Sequence, residues 1–185
     1  MFVLVDRDGV INRNLDGKYI SSWDEFEFLP GSIEALKQLA ENNIRCAIVS
    51  NQSGVNKGEL SENALYEIDS RMHAELRLCG CRVEKTFYCV HREEEGCECR
   101  KPKPGLLFTA SRELKFDLSK TFFVGDYMTD VEAGVAAGTK TILVMTGRGE
   151  KANLKREEWK AEPDYIAADL KHAVDIILKI REKMK

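Results

Sequence analysis

Three aspartates of this 185-residue chain stand directly behind short apolar runs. Asp6 and Asp8 follow the run Phe2–Val5, and Asp126 follows Thr121–Val124 after one glycine. Carboxylates that approach one point repel each other, and a hard divalent cation relieves that repulsion. Magnesium held by one or two carboxylates also binds phosphate oxygens. The pattern therefore predicts a magnesium site at which a carboxylate meets a phosphate group.

A hydroxyl and a cation suited to phosphate oxygens occur in two other segments. Ser50 follows the apolar run Ile44–Val49, and Lys101 lies beyond a cysteine-rich stretch. Both side chains can bind phosphoryl oxygens, one by a hydrogen bond and the other by its charge. An aspartate pair alone is more often a turn feature. Together with Ser50 and Lys101, the aspartates favour a catalytic site.

Three cysteines and a histidine fall within eleven positions. Cys89, His91, Cys97 and Cys99 form a Cys₃His set, which is a common tetrahedral ligand set for structural zinc. Incidental thiols in a loop are the simpler alternative. Four protein ligands leave no open coordination position, so we expect a structural zinc ion. Because Cys99 nearly adjoins Lys101, we hypothesise that zinc fixes the direction of this phosphate-binding lysine.

The elements that must position these groups alternate between strands and helices. Amphipathic helical patterns begin near 32, 61, 104, 129 and 169, and apolar β-branched runs are predicted strands at Phe2–Val5, Ile44–Val49, Thr86–Val90, Thr121–Val124, Thr141–Met145 and Tyr165–Ala167. This alternation predicts an α/β fold, a Rossmann-like three-layer sandwich with a mostly parallel central sheet. One domain spanning 1–185 is expected, because the intervals between the polar segments leave no room for a large cap domain.

Composition narrows the functional classes. Lys and Arg number 28 against 31 Asp and Glu, and a net charge of −3 disfavours nucleic-acid binding. No apolar run has the length of a membrane span, and the N-terminus does not resemble a signal peptide. We therefore expect a cytoplasmic monomer with reduced thiols and no membrane or nucleic-acid partner. A zinc-stabilised binding module is the non-enzymatic alternative.

Four motifs resemble those of the haloacid dehalogenase (HAD) phosphatase superfamily. They are Asp6-Arg7-Asp8-Gly9-Val10, Ser50-Asn51-Gln52-Ser53-Gly54, Arg100-Lys101-Pro102 and Gly125-Asp126. The resemblance implies that Asp6 is the nucleophile and forms an aspartyl-phosphate, while Asp8 is the general acid and base. It also implies that magnesium is held by Asp6, the backbone carbonyl of Asp8, and Asp126. Asp130 is expected either to orient these groups or to be a helix N-terminal carboxylate.

The zinc cluster followed by Arg100-Lys101-Pro102-Lys103-Pro104-Gly105 narrows the resemblance. It is similar to a subfamily that contains heptose-bisphosphate phosphatases and histidinol-phosphate phosphatases, and the heptose branch is the closer match. This implies hydrolysis of the C7 phosphate of D-glycero-D-manno-heptose 1,7-bisphosphate. Histidinol phosphate or another small sugar phosphate is the alternative substrate. The substrate contacts that the resemblance implies are Asp16, Tyr19, Ser50, Asn51, Gln52, Ser53, Arg100 and Lys101.

Overall fold

The computed structural model of the chain describes residues 1–15 and 17–183. Its strands are β1 (Phe2–Val5), β2 (Arg45–Asn51), β3 (Val83–Cys89), β4 (Thr121–Gly125), β5 (Lys140–Val144) and β6 (Tyr165–Ala167). Its helices are α1 (Ser32–Glu41), α2 (Glu62–Leu78), α3 (Gly105–Leu114), α4 (Met128–Ala137), α5 (Gly149–Leu154) and α6 (Leu170–Lys183). Every predicted strand is present, and two have the predicted bounds.

The six strands form one parallel sheet in the order β3-β2-β1-β4-β5-β6. The predicted α/β fold with a parallel sheet is confirmed. The order reverses beside β1, which pairs with both β2 and β4. In open parallel sheets, ligands bind outside the carboxyl ends of the strands at such a reversal. At that edge the amide of Asp6 donates to the carbonyl of Val124 over 2.9 Å, so β1 and β4 end together.

Alternation along β1 divides the core into two layers. Val3 and Val5 pack with α1 and α6, while Phe2 and Leu4 pack with α3 and α4 on the opposite face. Each fully buried side chain of this size contributes about 1.5–3 kcal/mol through the hydrophobic effect. The sheet is therefore covered on both faces, which confirms the predicted three-layer sandwich.

Loops, rather than an inserted domain, lie above the carboxyl edge in the described part of the chain. The loop between β1 and α1 is held by an aromatic group in which the Trp23 ring stacks on Phe26 at 4.9 Å and Phe28 meets Phe26 edge-on at 5.0 Å. The end of this loop is held to its beginning by a hydrogen bond of 2.9 Å from the amide of Leu29 to the carbonyl of Ile11. Among the described residues, no helix combines the length and apolarity needed to cross a bilayer.

Candidate active site

Three buried carboxylates meet at the carboxyl edge of β1 and β4. Oxygens of Asp6, Asp126 and Asp130 all lie within 4.8 Å of one another. Lys101 reaches them from the segment before α3, with its Nζ 3.1 Å from Asp6 Oδ1 and 2.6 Å from Asp130 Oδ1. The structure thus brings Asp6, Lys101 and Asp126 together from three separate segments. It also adds Asp130, whose ion pair with Lys101 makes it an orienting group for that lysine.

The charges of this cluster do not balance. Three carboxylates face one ammonium group, which leaves two negative charges uncompensated in a buried setting. Such a deficit is costly away from water, and a divalent cation with oxygen ligands removes it. The donor set therefore fits Mg²⁺, with Asp6 and Asp126 as its carboxylate candidates.

Burial also changes the acidity of the cluster. Desolvation, together with the nearby Asp130 and Asp8 carboxylates, raises the pKa of Asp6 to about 6, although Lys101 opposes the increase. Desolvation and the charges of Asp130 and Asp6 likewise hold the pKa of Asp126 well above its usual value. Both shifts have the direction expected for like charges crowded into one site.

Two glycines provide the space that Asp126 occupies. A methyl group on Gly9 or on Gly147 would overlap Oδ2 of Asp126, and both glycines have positive φ, at 83° and 57°. The same oxygen accepts hydrogen bonds from Asn14 Nδ2 at 3.1 Å and from the amide of Arg148 at 2.8 Å. Asn14 lies 112 positions away from Asp126, and no sequence motif pointed to it.

We expect Gly147→Ala to weaken magnesium binding. The added methyl group would lie 2.6 Å from Gly9 Cα and displace Asp126, so the Mg²⁺ concentration for half-maximal activity should rise about 10-fold or more. Gly138→Ala is the matched control, because Gly138 also has positive φ, at 78°, but no neighbouring atom lies within 4 Å of the place that its added methyl group would take. A magnesium titration of both variants checks this. Equal magnesium requirements would contradict the role of Gly147.

Asp8 is held by donors on several sides. Arg7 donates to both of its carboxylate oxygens, Asn12 Nδ2 donates at 2.9 Å, and Gln52 Nε2 donates at 2.6 Å. Burial raises the pKa of Asp8, but the charge of Arg7 and these hydrogen bonds outweigh it and bring the pKa below its ordinary value. The side chain stays 28% exposed. Arg7 was not among the predicted site residues, and its only sequence signal is its position between the two aspartates.

The end of β2 and the segment that follows it, 51–54, connect Lys101 to Tyr19. The Asn51 side chain donates to the carbonyl of Lys101 at 3.0 Å and accepts from its amide at 3.2 Å. The hydroxyl of Tyr19 is 2.8 Å from Ser53 Oγ, and its ring packs against Gly54, where a Cβ would come within 2.6 Å. Tyr19 thus reaches this segment across 34 positions of sequence.

An open cleft of about 490 Å³ lies above the carboxylates. Among the predicted site residues, those that line it are Asp6, Asp8, Tyr19, Ser50, Asn51, Ser53, Arg100, Lys101 and Asp126. Gln52 is fully buried and is not among the lining residues, so its substrate contact stays a prediction. Asp16 lies outside the described residues.

The cysteine and histidine ligands converge as a compact group. Five distances between the donor atoms of Cys89, His91, Cys97 and Cys99 run from 3.3 to 3.7 Å. Zinc–ligand bonds of about 2.0–2.3 Å in a tetrahedron imply donor separations of roughly 3.5–3.8 Å. A disulfide bond would require about 2.05 Å between two sulfur atoms. The four side chains can therefore hold a zinc ion, as predicted.

The zinc group is joined to the active site through the segment that follows it, 100–104. Arg100 Nη1 donates to the carbonyl of His91 at 3.4 Å, and the amide of Gly105 donates to the carbonyl of Glu98 at 3.2 Å. Gly105 begins α3, and a side chain there would overlap the Glu98 carbonyl. Lys101 lies between these two anchors. This geometry supports the hypothesis that the zinc group positions Lys101.

Three features together define a phosphatase of the HAD type. They are the order of the strands in the sheet, the paired aspartates after β1, and the approach of Lys101 and Asp126 to Asp6. Residues 98–173 match the HAD-hydrolase-like family. Curated relatives and a solved structure align over most of the chain, so the protein belongs to the HAD hydrolases, in the family of the heptose-bisphosphate phosphatases.

Two curated relatives are 39% identical to this chain over their aligned residues. D-glycero-β-D-manno-heptose-1,7-bisphosphate 7-phosphatase of Pseudomonas putida is 39% identical over 149 residues, which cover 80% of this chain and 85% of that protein. The enzyme of the same name from Pasteurella multocida is 39% identical over an alignment of 171 positions that covers 89% of each chain.

A solved structure matches nearly the whole fold. The crystal structure of D,D-heptose 1,7-bisphosphate phosphatase from B. bronchiseptica, complexed with magnesium and phosphate, superposes with a TM-score of 0.90. It is 34% identical in sequence, and the match covers 97% of this chain and 99% of that one. That structure contains magnesium, which the carboxylate cluster described above can hold, and phosphate.

Proposed function

We propose that this enzyme hydrolyses the C7 phosphate of D-glycero-D-manno-heptose 1,7-bisphosphate. The observation that carries the proposal is the convergence of Asp6, Lys101 and Asp126 in a chain whose relatives, aligned over 80–89% of its length, are 7-phosphatases of this sugar bisphosphate. The open cleft supports a small, hydrophilic substrate, because polar and charged side chains form most of its lining.

In the first step, a carboxylate oxygen of Asp6 attacks the phosphorus atom, and the bond from phosphorus to the sugar oxygen breaks. Asp8 enters this step protonated and gives its proton to that oxygen, so the C7 oxygen leaves as a hydroxyl group and the phosphoryl group stays on Asp6. The donors that lower the pKa of Asp8 favour the carboxylate that it becomes. Lys101 and the Ser50 hydroxyl are positioned to bind the phosphoryl oxygens. Bound Mg²⁺ would neutralise negative charge, so that an anionic carboxylate can approach an anionic phosphate.

In the second step, water attacks the phosphorus atom of the aspartyl-phosphate. Asp8, now a carboxylate, takes a proton from that water, and the bond between phosphorus and Asp6 breaks. Inorganic phosphate leaves, Asp6 is again a carboxylate, and Asp8 again carries its proton. The 28% exposure of Asp8 supports this exchange, because its carboxyl group can reach both substrate and water.

Substrate choice can be measured directly. We expect kcat/KM for the heptose bisphosphate to exceed that for fructose 1,6-bisphosphate and histidinol phosphate by about 10²-fold or more, since specific polar contacts discriminate strongly between substrates. Release of inorganic phosphate from each compound, at one saturating magnesium concentration, gives the ranking. A large kcat/KM advantage for histidinol phosphate would refute the proposal.

We also propose that the enzyme works in the cytoplasm. Its six cysteines are free thiols, and three of them join His91 in the zinc ligand group, which supports a reducing compartment. Cell fractionation checks this assignment, and recovery of the enzyme from an oxidising compartment would contradict it.

A further inference from the structure

One large cationic side chain beside the reacting groups has no part in the two steps above. Arg7 lies between Asp6 and Asp8 in sequence, and its side chain is fully buried. A buried arginine loses its hydration, a loss that several good contacts must offset. Its surroundings therefore indicate what the residue does.

Two nitrogen atoms of Arg7 donate hydrogen bonds to the carboxyl group of Asp8. Nε donates to Oδ1 at 3.1 Å, and Nη2 lies 3.0 Å from both Oδ1 and Oδ2. A planar guanidinium that meets both carboxylate oxygens fixes the plane of the carboxyl group as well as its distance. Lysine cannot reproduce this constraint, because its ammonium group acts as a point charge.

The guanidinium group of Arg7 also packs over the ring of Tyr88. The guanidinium carbon of Arg7 is 5.7 Å from the centre of the Tyr88 ring, and the Tyr88 hydroxyl donates to Asp69 Oδ1 at 2.9 Å. Nη1 has no hydrogen-bond partner among the residues that the structure describes. Replacing a buried ion pair by apolar side chains is often neutral or stabilising, so stability alone does not account for an arginine here.

We infer that Arg7 is the positioning residue for Asp8, holding its carboxyl group in the orientation from which it exchanges protons with the leaving sugar oxygen and with water. Arg7 itself neither gives nor takes a proton. The inference rests on the proposed function only in assigning acid–base catalysis to Asp8. It assigns Arg7 no contact with substrate.

Aryl phosphates whose leaving phenols differ in acidity test whether Arg7 positions Asp8 or only stabilises the fold. Nitrophenolate leaves without a proton, whereas phenolate benefits from protonation by Asp8. For Arg7→Met, we expect kcat/KM to fall at least about 10-fold more with phenyl phosphate than with p-nitrophenyl phosphate. Arg7→Lys, which keeps the charge but loses the two-pronged contact, should show the same trend. It also serves as the test if Arg7→Met does not fold.

Arg45 provides a matched control. It donates to Glu84 through Nε at 2.6 Å and Nη2 at 2.9 Å, and it packs over the Phe2 ring at 5.1 Å, away from the cleft. Arg45→Met removes the same kind of contact, so both aryl phosphates should react as they do with the wild type. Melting temperatures of the variants show separately how much stability each change removes.

A double variant that combines Arg7→Met with Asp8→Asn completes the test. If Arg7 acts through Asp8, Arg7→Met should lower kcat/KM for p-nitrophenyl phosphate no further in the Asp8→Asn background. Equal losses with both aryl phosphates, or full additivity with Asp8→Asn, would overturn the inference. The aryl phosphates contain no heptose, so failure of the heptose assignment would leave this test unaffected.

Discussion

Asp6→Asn should abolish turnover while leaving the fold intact. The amide has nearly the same size as the carboxyl group but cannot attack phosphorus, so we expect kcat to fall by at least about 10⁴-fold. Asp6 lies among Asp126, Asp130 and Lys101, and burial raises its pKa to about 6. Because the substitution removes one of three crowded negative charges, the melting temperature should not fall by more than a few degrees.

Two measurements distinguish the loss of a nucleophile at Asp6 from other effects of the substitution. Beryllium fluoride, which imitates a phosphoryl group on a carboxylate, should bind the wild-type enzyme with magnesium and should not bind Asp6→Asn. Asp24→Asn is the control, because Asp24 is exposed and is not among the residues that line the cleft. Residual activity of Asp6→Asn above about 0.01% would contradict the predicted fall and mean that another group attacks phosphorus.

Zinc removal should lower stability and turnover together. The four ligands would lose the ion that holds 89–99, and the segment carrying Arg100 and Lys101 would lose one of its anchors. Structural zinc binding is worth about 10–16 kcal/mol in small zinc-finger peptides. If only part of that is lost here, the melting temperature of a chain of this size should still fall by roughly 10 °C or more. We expect kcat to fall at least about 10-fold, because Lys101 contacts Asp6, the proposed nucleophile.

The experiment is treatment with a zinc-selective chelator at saturating magnesium, followed by return of zinc. Both the melting temperature and kcat should recover when zinc is added back. Cys97→Ser should imitate chelation, whereas Cys79→Ser should not, because Cys79 is a half-buried thiol at the end of α2 outside the ligand group. Unchanged melting and unchanged turnover after zinc removal would refute the proposed structural role.

Much of the site could be predicted because its groups follow strands or lie close together in sequence. β1 and β6 have the predicted bounds, since apolar β-branched runs between polar segments identify strands. The four zinc ligands fall within eleven consecutive positions, so their spacing alone indicated a metal group. The aspartates and Ser50 could be placed at one edge because parallel strands end at a common edge.

Other features depend on which side chains face each other after folding. Asp130 was expected either to orient neighbouring groups or to be a helix N-terminal carboxylate, and it makes both contacts. Its Oδ2 accepts from the amide of Tyr127 at the start of α4 at 3.1 Å, and its Oδ1 lies 2.6 Å from Lys101 Nζ. The second contact depends on the packing of a distant segment. The orientation of Arg7 toward Asp8 and Tyr88 is likewise absent from any local pattern.

The amino-acid sequence by itself determined the alternation of strands and helices along the chain, the class of chemistry and a group of residues that can hold zinc. Those properties follow from periodicity and from short spacings, which operate over a few neighbouring residues. Tertiary structure decided how each carboxylate is seated: Asn14 and Gly147 border Asp126, and Arg7 turns toward Asp8. Such contacts depend on side-chain directions and on the packing of distant segments, which local sequence patterns do not specify.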